Sequence, residues 1–214
     1  MINPFNLIVP REDELMINES SIKELSDKIK ERIKDRRLIV LEGDYGTGKS
    51  LYFKRLYQRL KTRKELINFT DVIISVLESK VPVKNKTIFI DNFDLVHGFN
   101  DEQINRLIKA MNQLINEGVI ILIACRKDTL KKLYSINPLI RSRVNRVKIP
   151  KLTFDEAKEL VIARLNESRK IKSDSLEPFT IKELRSIWRT SDNNPRMLLL
   201  LLAPLYEQRM MLKA

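Results

Sequence analysis

Gly43-Asp44-Tyr45-Gly46-Thr47-Gly48-Lys49-Ser50 is a complete G-x-x-x-x-G-K-[ST] loop, and it governs how the rest of the chain is read. Glycine is scarce, at five in 214 residues, and three of the five fall inside this loop. With glycine this rare, the four fixed positions arise by chance roughly once in a thousand such chains. The chemistry needs these residue types. Glycines let backbone N–H groups converge on phosphate oxygens, and the N-terminus of the helix that follows adds a favourable dipole. Lys49 brings a charge for the β/γ-phosphates and Ser50 a hydroxyl for Mg2+. Gly43 through Leu51 are therefore expected to bind ATP, with Mg2+ held at Ser50.

Working outward, residues 38–41 form a short continuous apolar run, as in a buried parallel strand. Ser21-x-x-Glu24 reads as a capping box opening a helix through about Asp35. After the loop come a helix over 51–64, a short strand over 65–69 and a helix over 71–80. The next strand covers 87–90 and ends at Asp91, an aspartate suited to the Mg2+ shell beside Ser50. Asn100 caps a helix whose apolar positions follow helical spacing to Gly118, and strands are expected over 119–124 and 144–149. Strands alternating with helices mean an α/β layer with a parallel sheet. Beyond Pro150 everything reads helical, with capping boxes at Thr153/Glu156 and Thr180/Glu183 and a final helix opened by Asn194-Pro195 and kinked at Pro204. The expected organisation is a P-loop α/β core over 1–150 and a small all-helical lid over 151–214.

Composition bounds the function. Hydrophobic residues make up 43% and charged residues 32%, the mix of a globular chain rather than a disordered one. The net charge of +12 favours a polyanionic partner, nucleic acid or an anionic membrane surface. A solvated basic surface has equal weight from composition alone. One cysteine excludes an internal disulfide framework and a cysteine-rich zinc site. Residues 1–10 carry no basic n-region, and the longest apolar run, 197–205, is too short to span a bilayer. A soluble, cytoplasmic protein is expected.

Over nearly its full length the chain resembles the AAA+ ATPases. The likeness is closest to the ExeA-like and transposition-helper (TnsC/MuB-like) ATPases and to the archaeal origin-recognition clade. Asn3-Pro4-Phe5 looks like the opening of ExeA-like proteins. Leu152-Thr153-Phe154-Asp155-Glu156, followed by Ala163-Arg164-Leu165, looks like their first lid helix. Asn193-Asn194-Pro195-Arg196 looks like their Gly-Asn-Pro-Arg element, with Asn193 where glycine is usual. The resemblance implies that Arg196 is a sensor-2 arginine on the nucleotide phosphates. It also implies that the segment 139–144 carries an arginine finger reaching the next subunit of a homo-oligomer, Arg143 by preference with Arg141 in reserve. Outside that frame each arginine reads as basic surface.

Two departures bear on catalysis. Asn92 stands where a glutamate usually follows the Mg2+ aspartate; it cannot accept a proton, though it can orient a water. Asp94, two residues on, is the alternative. Sensor 1 falls at Cys125-Arg126, where a thiol is a poor donor, so Arg126 is the alternative there. Cys125 itself reads as a buried strand-end thiol, and His97 as a loop residue with no catalytic part. Origin-recognition relatives carry a winged-helix domain after the lid and this sequence does not, so DNA contact is expected from the ATPase body. A basic stretch over 126–148 that includes Lys131 and Lys132, and a second over 54–64, suit the non-specific tracking of a nucleic-acid backbone. The expected function is an ATP-dependent oligomer acting on or along DNA. The alternatives are a poorly hydrolysing ATP-gated scaffold, an ExeA-like secretion or pilus ATPase, and, least favoured, a small-molecule kinase.

Overall fold

The computed structural model describes residues 3–5, 19–32, 38–70, 72–80 and 85–212. The chain divides into two compact units. One takes Ser20–Tyr45 and Lys49–Ile149; the other takes Pro150–Ala214 with Gly46–Gly48 and the described part of Met1–Glu19.

The first unit is built on five parallel strands: β1 (Leu38–Glu42), β2 (Lys64–Asn68), β3 (Thr87–Asp91), β4 (Ile120–Cys125) and β5 (Val144–Lys148), in the order β2-β3-β4-β1-β5. The central strands β1 and β4 are buried at every position, which is why they read as unbroken apolar runs. Alternate residues of β1 serve opposite faces. Leu38 and Val40 pack with α3 (Ile73–Glu78), α4 (Asp101–Asn116) and α5 (Lys127–Ile136) through Ile73, Leu107, Met111 and Leu130. Ile39 and Leu41 pack on the other face with α1 (Glu19–Arg32) and α2 (Lys49–Arg59) through Leu25, Ile29, Phe53 and Leu56.

Several boundaries differ from expectation. The helix α1 begins at Glu19, so Ser21 lies inside it; the Ser21 side chain and Asp35 are outside the described residues. The helix α2 ends at Arg59 rather than at Lys64. Lys64 instead opens β2, and its ammonium turns back on the helix end. It donates to the carbonyls of Tyr57, Gln58 and Leu60, which the last turn leaves without intrahelical partners. The helix α5 was not expected at all. A 3-10 turn, Phe93–Gly98, follows β3, and a second, Pro138–Ser142, follows α5.

The second unit holds α6 (Phe154–Ser168), α7 (Ile181–Thr190) and α8 (Pro195–Met211). Both predicted capping boxes close, Thr153 with Glu156 and Thr180 with Glu183, and Asn194 accepts from the Met197 N–H at 3.2 Å. The helix α8 continues through Pro204. Asn3-Pro4-Phe5 is fastened into this unit. The Asn3 amide donates to the Ala203 carbonyl and to Glu207, and the buried Arg164 donates to the Pro4 carbonyl at 3.3 Å. Phe5, fully buried, meets Phe179 and Tyr206 edge-to-face.

Candidate functional site

In a parallel sheet all strand C-termini share one edge, and ligands of open α/β folds bind there. The register puts Glu42 opposite Cys125 and Ile90 opposite Ile123, so Gly43, Asp91 and Arg126 all emerge at that edge. The Gly43 N–H donates to the Cys125 carbonyl at 3.2 Å and anchors the base of the phosphate loop. Behind it, the Arg146 guanidinium of β5 donates at 2.8 Å to the nearly buried Glu42 carboxylate.

Gly46 and Gly48 have φ of +80° and +84°, a conformation that L side chains rarely adopt. Gly46 and Gly48 belong to the helical unit. There the Arg196 N–H reaches the Gly46 carbonyl at 3.4 Å. A Cβ on Gly46 would fall 2.8 Å from both Arg196 Cβ and Asn194 Oδ1, so no larger residue fits without movement. Tyr45 is 70% exposed, Asp44 is exposed and Thr47 half-buried. Lys49, Ser50 and the half-buried Leu51 form the first turn of α2.

Five of the expected residues, Lys49, Ser50, Asp91, Asn92 and Asp94, converge. Lys49 Nζ donates to the carbonyls of Gly43 and Asp44, each at 3.1 Å, and pairs with Asp94 Oδ2 at 3.5 Å. The Ser50 hydroxyl donates to Asp91 Oδ1 at 3.3 Å. Asp91 Oδ1 also accepts from the Asn92 N–H at 2.8 Å. Asn92 is exposed and left-handed, with φ 56°, a backbone that asparagine tolerates better than glutamate. The donor set fits Mg2+. That ion keeps waters and phosphate oxygens and takes only one or two protein ligands, for which the hydroxyl of Ser50 and the carboxylate of Asp91 would be available. Among the described residues no cluster of three or more His, Cys, Asp or Glu could cage a metal by itself.

Other expected residues lie elsewhere. Arg143 stands just before β5, at the opposite edge of the sheet, where its guanidinium donates to Asn116 Oδ1 at 2.6 Å. A strand of five residues, about 16 Å, separates it from the phosphate-loop edge of the same sheet. Arg141 covers the Tyr134 ring at 5.5 Å. Cys125 is buried, and burial pushes its thiol well above the usual range, so it holds its proton. Lys131 is exposed, but Lys132 is not free for a partner: its ammonium donates to the carbonyls of His97 and Phe99 at 3.2 and 3.1 Å. His97 Nε2 meets the Thr129 hydroxyl at 3.0 Å.

Sequence reasoning missed Thr129 and the structural part of Asp94. Asp128 in the first turn, with Leu130 and Leu133 at helical spacing, was an available signal for α5.

The architecture is shared with solved structures. Over 97% of this chain and 68% of the other, it superposes on the RuvB Holliday junction branch migration motor of Thermotoga maritima with a TM-score of 0.57 at 20% identity. It matches the ADP form of the Aeropyrum pernix ORC2 protein with a TM-score of 0.59 at 12% identity, over 98% of this chain and 68% of that one. The fold is that of the AAA+ ATPases. No family model matches the sequence. A curated relative, an uncharacterized HTH-type transcriptional regulator of Methanocaldococcus jannaschii, is 25% identical over 171 residues, 72% of this chain. The chain spans 41% of that relative's length. Asn193, the departure from the AAA+ lid element, has φ 60°, so it adopts the conformation a glycine would supply. Among the described residues no helix is long and apolar enough to cross a membrane.

Proposed function

We propose that the chain is a Mg2+-dependent ATPase that assembles with copies of itself and acts on or along DNA. The convergence of Lys49, Ser50 and Asp91 at the C-terminal edge of the sheet carries this reading. It unites a phosphate-neutralising ammonium with a hydroxyl and a carboxylate of the kind that hold Mg2+. Ser50 and Asp91 would hold Mg2+, which would supply charge neutralisation for the phosphates. Gly43–Ser50 orient the phosphates through backbone N–H groups, and Arg196 takes the sensor-2 role that the resemblance to AAA+ ATPases implies. Arg143, at the opposite sheet edge, serves the γ-phosphate of a neighbouring copy. The DNA assignment is supported by the +12 charge and by the name of one structural neighbour, a Holliday junction motor. The HTH-type regulator, of whose length this chain spans 41%, points the same way. Lys127, Lys131 and Lys148 are exposed on the sheet unit and available to phosphates of a nucleic-acid backbone.

A second reading, an ATP-gated scaffold with little turnover, is favoured by one observation: Asn92 occupies the position after Asp91 and cannot take a proton. Calorimetric titration with Mg2+-ATP, followed by turnover with and without duplex DNA, separates the two. Binding with DNA-stimulated hydrolysis supports the ATPase. Binding without turnover supports the scaffold. Loss of binding in Lys49→Ala is expected under both, and its retention would remove the phosphate-loop assignment.

A further inference from the structure

Asp94 lies in the 3-10 turn Phe93–Gly98, and its two carboxylate oxygens are engaged by different groups. Oδ1 accepts from the Arg126 N–H at 2.8 Å and from the Thr129 hydroxyl at 2.6 Å. Oδ2 faces Lys49 Nζ at 3.5 Å and Arg126 Nε at 3.7 Å. All these residues belong to the sheet unit.

The first set of contacts has a plain cause. The helix α5 begins after Arg126, whose own side chain makes no cap, and the first N–H groups of a helix need acceptors. Asp94 supplies an acceptor at that end from a distant segment. The second set puts Asp94 in contact with the ammonium that phosphate needs. Lys49 and Asp94 are both largely shielded, with 14% and 25% of their side chains exposed, so their attraction is screened less than a surface pair. Arg126 stands between two carboxylates, 3.2 Å from Asp128 and 3.7 Å from Asp94. It can shift between them with little movement.

We propose that Asp94 is a positioning residue rather than a base: its carboxylate competes with nucleotide phosphate for Lys49, and it reports the outcome to the first turn of α5. When phosphate takes Lys49, the charge on Oδ2 is left to Arg126, while Oδ1 keeps its hold on the Arg126 N–H and Thr129. Both oxygens already face donors, the opposite of what a water-activating base requires. This inference rests on the phosphate-loop reading above.

The test uses the full chain. ADP affinity is measured for the unaltered protein, Asp94→Asn and Asp128→Asn, at low salt and at about 0.5 M salt, where long-range fields are screened. Asparagine keeps an acceptor for Arg126 and Thr129 and removes only the charge facing Lys49. Asp94→Asn should bind ADP about three- to tenfold more tightly at both salts, the scale of one partly shielded ion pair. Asp128→Asn should gain affinity only at low salt. Turnover at saturating ATP should change far less than the hundredfold or more typical of losing a general base. Unchanged or weaker ADP binding in Asp94→Asn overturns the proposal, and so does a hundredfold turnover loss at unchanged affinity. If Asp94→Asn does not fold, amide exchange in the unaltered protein decides. Saturating ADP should alter protection at Arg126 and the first turn of α5, and unaltered protection there overturns the proposal. Failure of the phosphate-loop reading has a separate sign: Lys49→Ala would bind ADP as tightly as the unaltered chain.

Discussion

The Ser50 hydroxyl lies 3.3 Å from the Asp91 carboxylate, although 41 residues separate them. One stands on the first turn of α2 and the other at the end of β3, and β4 separates β3 from β1, the strand that feeds the phosphate loop. The pairing is thus a product of sheet order. It sets a hydroxyl and a carboxylate side by side at the strand C-termini, where they would be available to a divalent ion bound with phosphate.

Asn92→Glu should raise turnover at saturating ATP by about tenfold or more, by restoring a proton acceptor beside Asp91. It should also lower stability by about 1 kcal/mol, because position 92 is left-handed at φ 56° and glutamate tolerates that backbone less well. Steady-state hydrolysis and thermal melting measure the two effects separately. A melting shift without any gain in turnover would exclude position 92 from the chemistry.

Arg143→Ala should bind ATP normally and hydrolyse it poorly, since Arg143 stands a strand's length from its own phosphate-loop edge. Mixed with Lys49→Ala, which lacks a working site but keeps its arginine, it should regain part of the lost activity. Assembly of both variants without any recovery would shift the finger to Arg141 or abolish it.

Lys131 and Lys132 should behave differently despite being neighbours. Lys131→Ala should weaken duplex DNA binding and reduce the dependence of log affinity on log salt by about 0.9, one phosphate contact per subunit. Lys132→Ala should leave that slope alone and lower stability by about 1 kcal/mol, because its ammonium holds the carbonyls of His97 and Phe99 at the end of the 3-10 turn. Equal slopes for Lys131→Ala and the unaltered protein would take α5 out of the DNA contact.

Glu183 should leave a mark on acid stability. Hydrogen bonds from the Thr180 backbone first, and from the Arg209 and Thr180 side chains, lower its carboxyl to about 2. An unfolded glutamate titrates near about 4.3. The folded state therefore binds fewer protons, and the stabilisation is full above about pH 4.3 and lost as pH falls toward about 2. Glu183→Gln should be less stable at neutral pH and should lose less on acidification. Melting curves from pH 7 to below pH 3 that run parallel for both proteins would contradict this.

The sequence by itself determined the class of fold and the loop. Runs at 38–41, 88–90 and 119–124 are apolar at every position because β1, β3 and β4 are covered on both faces, and that pattern needs no tertiary knowledge. The capping boxes at Thr153 and Thr180 were equally legible, since each closes within four residues. Only the tertiary structure decided what depends on contacts between distant segments. The helix α5 has no capping side chain at Arg126 and draws its N-terminal acceptor from Asp94, so its start carried no capping signature, only Asp128 and the spacing of Leu130 and Leu133. Lys132 looked like one more basic surface residue until the carbonyls of His97 and Phe99, at the end of the 3-10 turn after β3, claimed its ammonium. Asp94 could be read as a spare acid from sequence, because charge is written in the chain. The donors around a carboxylate, and so the chemistry left open to it, are set by which elements the fold packs against it.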